Sequence, residues 1–268
     1  MAARAHRGIL RRVVEALRPL TADPAQSALF FDVDGTLAPI VQRAQDATVP
    51  KETSLLIARL SRRYATVACI SGRAAADVRR LVGVGGIEYS GLHGAELLEP
   101  NTNRAQILSE FARFMPEVHR FAAKHDSAEL RALRVRIEDK GPIMTFHWRG
   151  APDEEAAHAR VVRLAEEAEA EGLWTHWGRK VLEIRPPVPI GKGRAVRSLL
   201  ARRPVRAALY AGDDVTDLDA FEALEEVESP VKVGVRSDEG PPEIVERADI
   251  VVEGTDGMRE LLAELDEQ

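Results

Sequence analysis

The residues best placed for chemistry are Asp32 and Asp34, in the run Leu29-Phe30-Phe31-Asp32-Val33-Asp34-Gly35-Thr36-Leu37. Apolar and aromatic residues lead straight into two carboxylates one residue apart, and a Gly-Thr pair closes the run. Such a run predicts a strand buried on both faces at the centre of a parallel sheet, stopped by Gly35. Side chains alternate along a strand, so a continued strand would point Asp32 and Asp34 the same way and crowd two negative charges at its C-terminal end. Ligands of open α/β sheets bind at that end, where a hard cation such as Mg²⁺ offsets the repulsion. A lone D-x-D is also an ordinary turn signal, and the remaining motifs decide between the two readings.

Two further apolar runs end in polar residues in the same way. Thr66-Val67-Ala68-Cys69-Ile70 runs into Ser71-Gly72-Arg73 and a helix bearing Val78, Leu81 and Val82. That order puts Ser71 at a strand's carboxyl end and a helix N-terminus, where a hydroxyl and free backbone N–H groups hold a phosphate or the serine simply caps the helix. Ala207-Ala208-Leu209-Tyr210-Ala211 runs into Gly212-Asp213-Asp214-Val215-Thr216-Asp217. Strand, helix, strand in this rhythm implies right-handed parallel crossovers, so the three polar ends gather on one edge of one sheet.

The scaffold that must position them is an ordinary globular one. The chain has 268 residues, 45% hydrophobic and 30% charged, enough for one large or two modest domains. No apolar run is long enough to span a bilayer. The single cysteine, Cys69, offers neither a disulfide framework nor a zinc site, and a reducing cytoplasmic setting is the expectation. Net charge is −6, but from Asp213 onward 19 acidic residues face only Lys232, Arg236, Arg247 and Arg259. The basic excess before that point suits an anionic substrate and is too diffuse for nucleic acid.

Residues Met1 to Leu20 carry Arg4, Arg7, Arg11, Arg12 and Arg18 against Glu15, with Ile9, Leu10, Val13, Val14 and Leu17 at helical spacing. An amphipathic helix packed on the body is expected, since the apolar core and cleavage site of a targeting peptide are missing. After Glu99-Pro100-Asn101-Thr102-Asn103 the pattern changes. A helix bearing Ile107, Phe111, Phe114, Val118 and Phe121 leads to strands at Arg134 to Glu138 and Ile143 to Arg149. A second helix, Glu154 to Glu171, leads to strands at Leu173 to Trp177 and Val181 to Ile184. This describes a small α+β domain inserted into the larger one, closed by Pro186-Pro187-Val188-Pro189. The expected boundaries are a core of residues 1–103 and 187–268 and an insertion of residues 104–186.

The string Asp32-Val33-Asp34-Gly35-Thr36-Leu37 resembles the first motif of the haloacid dehalogenase phosphatase superfamily. With Ser71, Lys192 and the Asp213/Asp214/Asp217 string it matches that superfamily's four motifs in chain order. The resemblance implies a Rossmann-like parallel α/β core with an inserted α+β cap. It also implies Asp32 as nucleophile, Asp34 as general acid/base, Ser71 as a phosphoryl ligand and Lys192 as a fixed positive charge. Mg²⁺ would be held by Asp32, the Asp34 backbone carbonyl and Asp213, with Asp214 and Asp217 as further or supporting groups. The family places Asp before the lysine; this chain has Gly191.

Two narrower strings are similar to trehalose-6-phosphate phosphatases. One is Leu92-His93-Gly94-Ala95-Glu96, and the other is Gly178-Arg179-Lys180-Val181-Leu182-Glu183-Ile184-Arg185-Pro186. They imply a sugar phosphate as substrate, with Arg73, His93, Lys140, Lys180, Glu183 and Arg185 as candidate contacts. Glu138, Asp139 and His147 also resemble family positions. Alternation puts Val181, Glu183 and Arg185 on one face of their strand and Lys180, Leu182 and Ile184 on the other. The alternatives are a phosphatase for another sugar phosphate, such as sucrose phosphate, a glycosyl-phosphoglycerate or a pseudo-disaccharide phosphate, or a catalytically silent sugar-phosphate-binding regulatory module. The partner expected is a small molecule, with no nucleic acid and no membrane.

Overall fold

The structure, a computed structural model, describes residues 2–41, 43, 46–237 and 240–268, with side chains described from residue 12 onward. The chain divides into two compact units, Met1–Gln106 with Ile190–Gln268, and Ile107–Pro189.

The first unit opens with α1 (Ala2–Ala22), β1 (Ser27–Phe31), α2 (Lys51–Leu60), β2 (Thr66–Ile70) and α3 (Ala75–Val82). It continues with β3 (Glu88–Gly91), β4 (Glu96–Leu98) and β5 (Gln106–Ile107). The insertion holds α4 (Ser109–Ala112), α5 (Met115–His125), α6 (Ala128–Ala132), β6 (Arg136–Asp139), β7 (Met144–His147), α7 (Glu154–Ala170), β8 (Trp174–Gly178) and β9 (Val181–Arg185). The first unit then resumes with α8 (Lys192–Arg202), β10 (Ala207–Gly212), α9 (Leu218–Leu224), β11 (Ser229–Arg236), α10 (Pro242–Arg247), β12 (Ile250–Glu253) and α11 (Gly254–Glu267).

The large sheet runs β12-β11-β10-β1-β2-β3-β4-β5, parallel from β12 through β3. β1 is fully buried, as its apolar sequence predicts. Leu29 and Phe31 join Leu209, Val67 and Cys69 in a core closed by Leu56, Ile57 and Leu60 of α2 and Leu261, Leu262 and Leu265 of α11. Leu17 and Leu20 of α1 belong to that core, so the described part of the N-terminal helix packs on the body. The side chains of Arg4, Arg7, Ile9, Leu10 and Arg11 lie outside the described residues. Among the described residues, no helix is long and apolar enough to cross a membrane.

The insertion is built on the antiparallel sheet β6-β7-β9-β8. Met144, Phe146, Leu182 and Ile184 on one face pack with Val118 and Phe121 of α5 and Val161 and Leu164 of α7. The alternation expected for β9 is observed: Leu182 and Ile184 are buried, while Val181, Glu183 and Arg185 are half-buried.

Several local expectations give way to finer structure. The helix expected through Ile107 to Phe121 is interrupted: Ile107 closes β5, α4 is four residues long, and α5 restarts with Pro116 in its first turn. Proline lacks an N–H and in a helix interior its ring crowds the carbonyl four residues back, so it favours a helix start. The short α6 and α10 and the antiparallel β4 have too few residues to show a periodic pattern in sequence.

Candidate active site

β10, β1 and β2 are adjacent and parallel, so the residues following Gly212, Phe31 and Ile70 emerge at one edge. The Asp32 N–H donates to the Ala211 carbonyl at 2.9 Å, which pins the end of β1 to its neighbour. The strand stops there. Leu37 and Ala38 N–H groups both turn back to the Val33 carbonyl, at 2.9 and 2.8 Å. Gly35 takes φ +92° in this turn, and a β-carbon on it would stand 1.9 Å from Asp213 Oδ2. Only glycine allows both that backbone conformation and that approach. Thr36 Oγ1 donates to Asp213 Oδ1 at 3.3 Å, tying the turn to β10.

Because the strand ends at Phe31, the two aspartates part instead of crowding together. Asp32 is 4% exposed and accepts from Lys192 Nζ at 2.6 Å. Asp34 lies nearer the surface and receives a fork from Arg73, Nε to Oδ2 at 2.7 Å and Nη2 to Oδ1 at 2.6 Å. Long-range pairing thus settles what the strand pattern left open.

Asp32, Asp213 and Asp217 are buried, and each offers a carboxylate oxygen within 4.8 Å of the others. Lys192, at the start of α8, lies among them, with Nζ 2.6 Å from Asp32 Oδ1 and 2.7 Å from Asp217 Oδ1. A cation at a helix N-terminus is opposed by the helix dipole, and the two carboxylates outweigh that. Burial alone would lower the Lys192 pKa; Asp32 and Asp217 overcome it and hold the group above its ordinary value. Burial drives the Asp32 carboxyl well above the usual range despite the pull of Lys192. Burial, with the Asp217 charge, raises Asp213 to about 6. Three hard oxygen donors facing one ammonium leave an excess of negative charge, and that chemistry fits a divalent metal.

The members of this cluster are not equivalent. Asp217 is 0% exposed and saturated. Its Oδ1 receives Lys192 Nζ and Tyr210 Oη, the latter at 2.6 Å. Its Oδ2 receives the N–H groups of Asp213 and Asp214 at 3.1 and 3.0 Å. Asp214 is exposed, and its carboxylate caps the following turn at the Val215 N–H, 2.6 Å away. Asp217 thus has less free acceptor capacity for a metal than Asp32 and Asp213. Tyr210 is absent from the residues chosen by sequence; its only signal was a phenol inside an otherwise apolar, buried strand.

Ser71 is buried at 2% exposure, and its Oγ accepts from the Arg73 N–H at 3.2 Å. It is not the N-cap of α3, which begins only at Ala75. The buried Glu96 side chain accepts the Ala75 N–H instead. His93 adopts φ +54°. Its N–H donates to the Ser71 carbonyl and its carbonyl accepts from Gly191, both at 3.0 Å, so its backbone links the Ser71 loop to the start of α8. Its ring packs on Gly72, where a β-carbon would lie 2.5 Å from Nε2.

Within the insertion, Arg185 donates to Glu183 Oε2 through Nε at 2.9 Å and Nη2 at 2.5 Å. Lys140 Nζ lies 3.8 Å from Glu183 Oε1. Lys140, Glu183 and Arg185 thus form one cluster. Lys180 does not join it: it sits in the β8–β9 turn at φ +61° and pairs with Glu154 at 2.5 Å. His147 pairs with Glu138 at 2.7 Å, and Asp139 accepts the Gly141 N–H within its own turn.

A family model described as trehalose-phosphatase matches residues 30–249. The trehalose-phosphate phosphatase of Mycobacterium marinum is 34% identical over 226 residues, covering 82% of this chain and 57% of its own length. That of Mycobacterium avium is 37% identical over 204 residues, covering 74% of this chain and 51% of its own. The chain therefore spans about half the length of these relatives. A crystal structure of a trehalose-6-phosphate phosphatase related protein superposes with a TM-score of 0.69 at 25% identity, covering 90% of this chain and 97% of that one.

Proposed function

The chain belongs to the trehalose-phosphatase family, and on that premise we propose that it hydrolyses trehalose 6-phosphate to trehalose and inorganic phosphate. The reading is carried by one observation: a buried Asp32 carboxylate, held by Lys192, stands in a cluster with Asp213 and Asp217.

In this proposal Asp32 attacks phosphorus to form an aspartyl phosphate, and the sugar oxygen leaves. Asp34 protonates that oxygen, then takes a proton from the water that opens the acyl phosphate. Arg73 grips both oxygens of Asp34 with one planar fork, which fixes the carboxylate in one orientation. Lys192 keeps its charge beside Asp32, so an anionic nucleophile and an anionic substrate approach with less repulsion. Ser71 and the backbone N–H groups of its loop hold phosphoryl oxygens. Mg²⁺, held by the carboxylates of Asp32 and Asp213 and the Asp34 carbonyl, would supply the remaining positive charge at the phosphoryl group. Asp217 orients Lys192, and Asp214 shapes the turn after β10. Lys140, Glu183 and Arg185 of the insertion offer charged hydrogen-bonding groups to sugar hydroxyls. Lys180, paired with Glu154, is left out of that set.

The test is phosphate release from trehalose 6-phosphate against sucrose phosphate, a glycosyl-phosphoglycerate and a pseudo-disaccharide phosphate, compared by kcat/KM, with and without Mg²⁺. Trehalose 6-phosphate should lead the panel, and Asp32→Asn should abolish turnover. Robust activity in that variant removes the nucleophile, and equal rates across the panel remove the assigned sugar.

A further inference from the structure

Tyr210 stands at a position where every other side chain of its strand is Ala, Leu or absent. It is fully buried, and its ring meets Phe221 edge-to-face at 6.1 Å. A buried phenol needs a hydrogen-bond partner. It finds Asp217 Oδ1 at 2.6 Å, the same oxygen that Lys192 Nζ reaches at 2.7 Å. The carboxylate packs directly on Gly212, where a β-carbon would lie 2.2 Å from Asp217 Cγ.

From this geometry we infer that Tyr210 is a positioning residue, whose hydroxyl sets, through Asp217, where the Lys192 ammonium rests between Asp217 and Asp32. An oxygen already receiving one strong donor is a weaker partner for a second. The neutral phenol therefore reduces the hold of Asp217 on the ammonium without adding charge, and more of the lysine's field falls on Asp32. Without the hydroxyl, Asp217 Oδ1 is left to Lys192 alone and draws it from Asp32. The inference rests on the proposed role of Asp32 and Lys192 in phosphoryl transfer.

The experiment is Tyr210→Phe in the full chain, assayed on a sugar phosphate that the wild type hydrolyses. Expected is a loss of about five- to twentyfold in kcat with KM unchanged within twofold, the share of one charged hydrogen bond felt only after binding. Phe221→Leu trims the ring beside Tyr210 and spares the hydroxyl; it should lower the melting temperature and keep kcat within twofold. A second readout needs no turnover. In ¹⁵N-lysine-labelled protein, the exchange rate of the Lys192 ammonium protons should change severalfold between the wild type and Tyr210→Phe, as the hold on them passes from Asp32 to Asp217. Unchanged kcat, unchanged ammonium exchange, or an equal loss of kcat in Phe221→Leu overturns the assignment. A wild type that releases no phosphate from any sugar phosphate overturns the function instead, and the exchange measurement still decides the role of Tyr210.

Discussion

Arg73 and Asp34 meet in a two-pronged ion pair, both contacts between 2.6 and 2.7 Å, across two loops that follow neighbouring parallel strands. A lysine in place of the arginine keeps the charge but has no planar fork. Arg73→Lys should lower kcat/KM on a phosphomonoester about ten- to a hundredfold, equivalent to ~1.4–2.7 kcal/mol of transition-state stabilisation. Steady-state kinetics of the two proteins check this, and equal values would show that the fork does not orient Asp34.

Lys192 is the ammonium shared by Asp32 and Asp217, and removing it strands buried carboxylates. Lys192→Met should destabilise the metal-free protein by about 3–5 kcal/mol and abolish turnover. Urea denaturation gives the first quantity and a phosphate assay the second. A loss under about 1 kcal/mol would mean that the carboxylates do not depend on the lysine.

The raised carboxyls at Asp32 and Asp213 give the metal-free protein a definite pH dependence. For an acid raised in the folded state, the stabilising contribution is complete below its unfolded value, near 4, and is lost as pH rises through the folded value. For Asp213 that folded value is about 6. The melting temperature of EDTA-treated protein should therefore rise as pH is lowered from 7.5 to 5. Asp213→Asn should reduce the slope, and added Mg²⁺ should flatten it by favouring the ionised carboxylates. A slope equal in wild type and Asp213→Asn would contradict the raised carboxyl.

Gly35 combines a left-handed backbone with close approach to Asp213. Gly35→Ala should cost about 2–4 kcal/mol of stability, measured by chemical denaturation, and remove most activity because Asp213 must move.

Glu183 is held by Arg185 and lies near Lys140 in the insertion. If these residues contact the sugar, Glu183→Ala should raise KM for trehalose 6-phosphate about tenfold or more and leave p-nitrophenyl phosphate hydrolysis within about twofold, since only the former carries the hydroxyls. Lys180→Ala should change neither. Parallel losses on both substrates in Glu183→Ala would assign Glu183 a structural role.

The central strand and its polar end were legible because Leu29 to Phe31 is an unbroken apolar run and Gly35 marks its stop. Three apolar strands ending in Asp32, Ser71 and Asp213 told of a common sheet edge, since each run is short and separated by a helical pattern. Other features depend on contacts far along the chain. Nothing local to Asp34 announces Arg73, and nothing near Asp217 announces that Tyr210 and Lys192 occupy one of its oxygens. For Ser71 the sequence left two readings, a helix cap or, beside the Asp pair, a phosphoryl ligand, and the structure sets aside the cap. The helix begins only at Ala75, whose N–H is taken up by Glu96, 21 residues further on. Lys180 and Glu183 look like one motif in sequence, but the tight β8–β9 turn sends the lysine to Glu154.

The placement of β1 between β2 and β10 also dictates an order of events at birth. Lys192 follows Asp32 by 160 residues, so a nascent chain emerging from the ribosome exposes the aspartate long before its counter-charge exists. Until β10 is synthesised, one edge of β1 has no neighbour and its Leu-Phe-Phe segment stays open to wrong pairing. Assembly of the Asp32, Lys192 and Asp217 cluster thus waits for delivery of the C-terminal third, and truncations ahead of Gly212 should yield aggregation-prone chains.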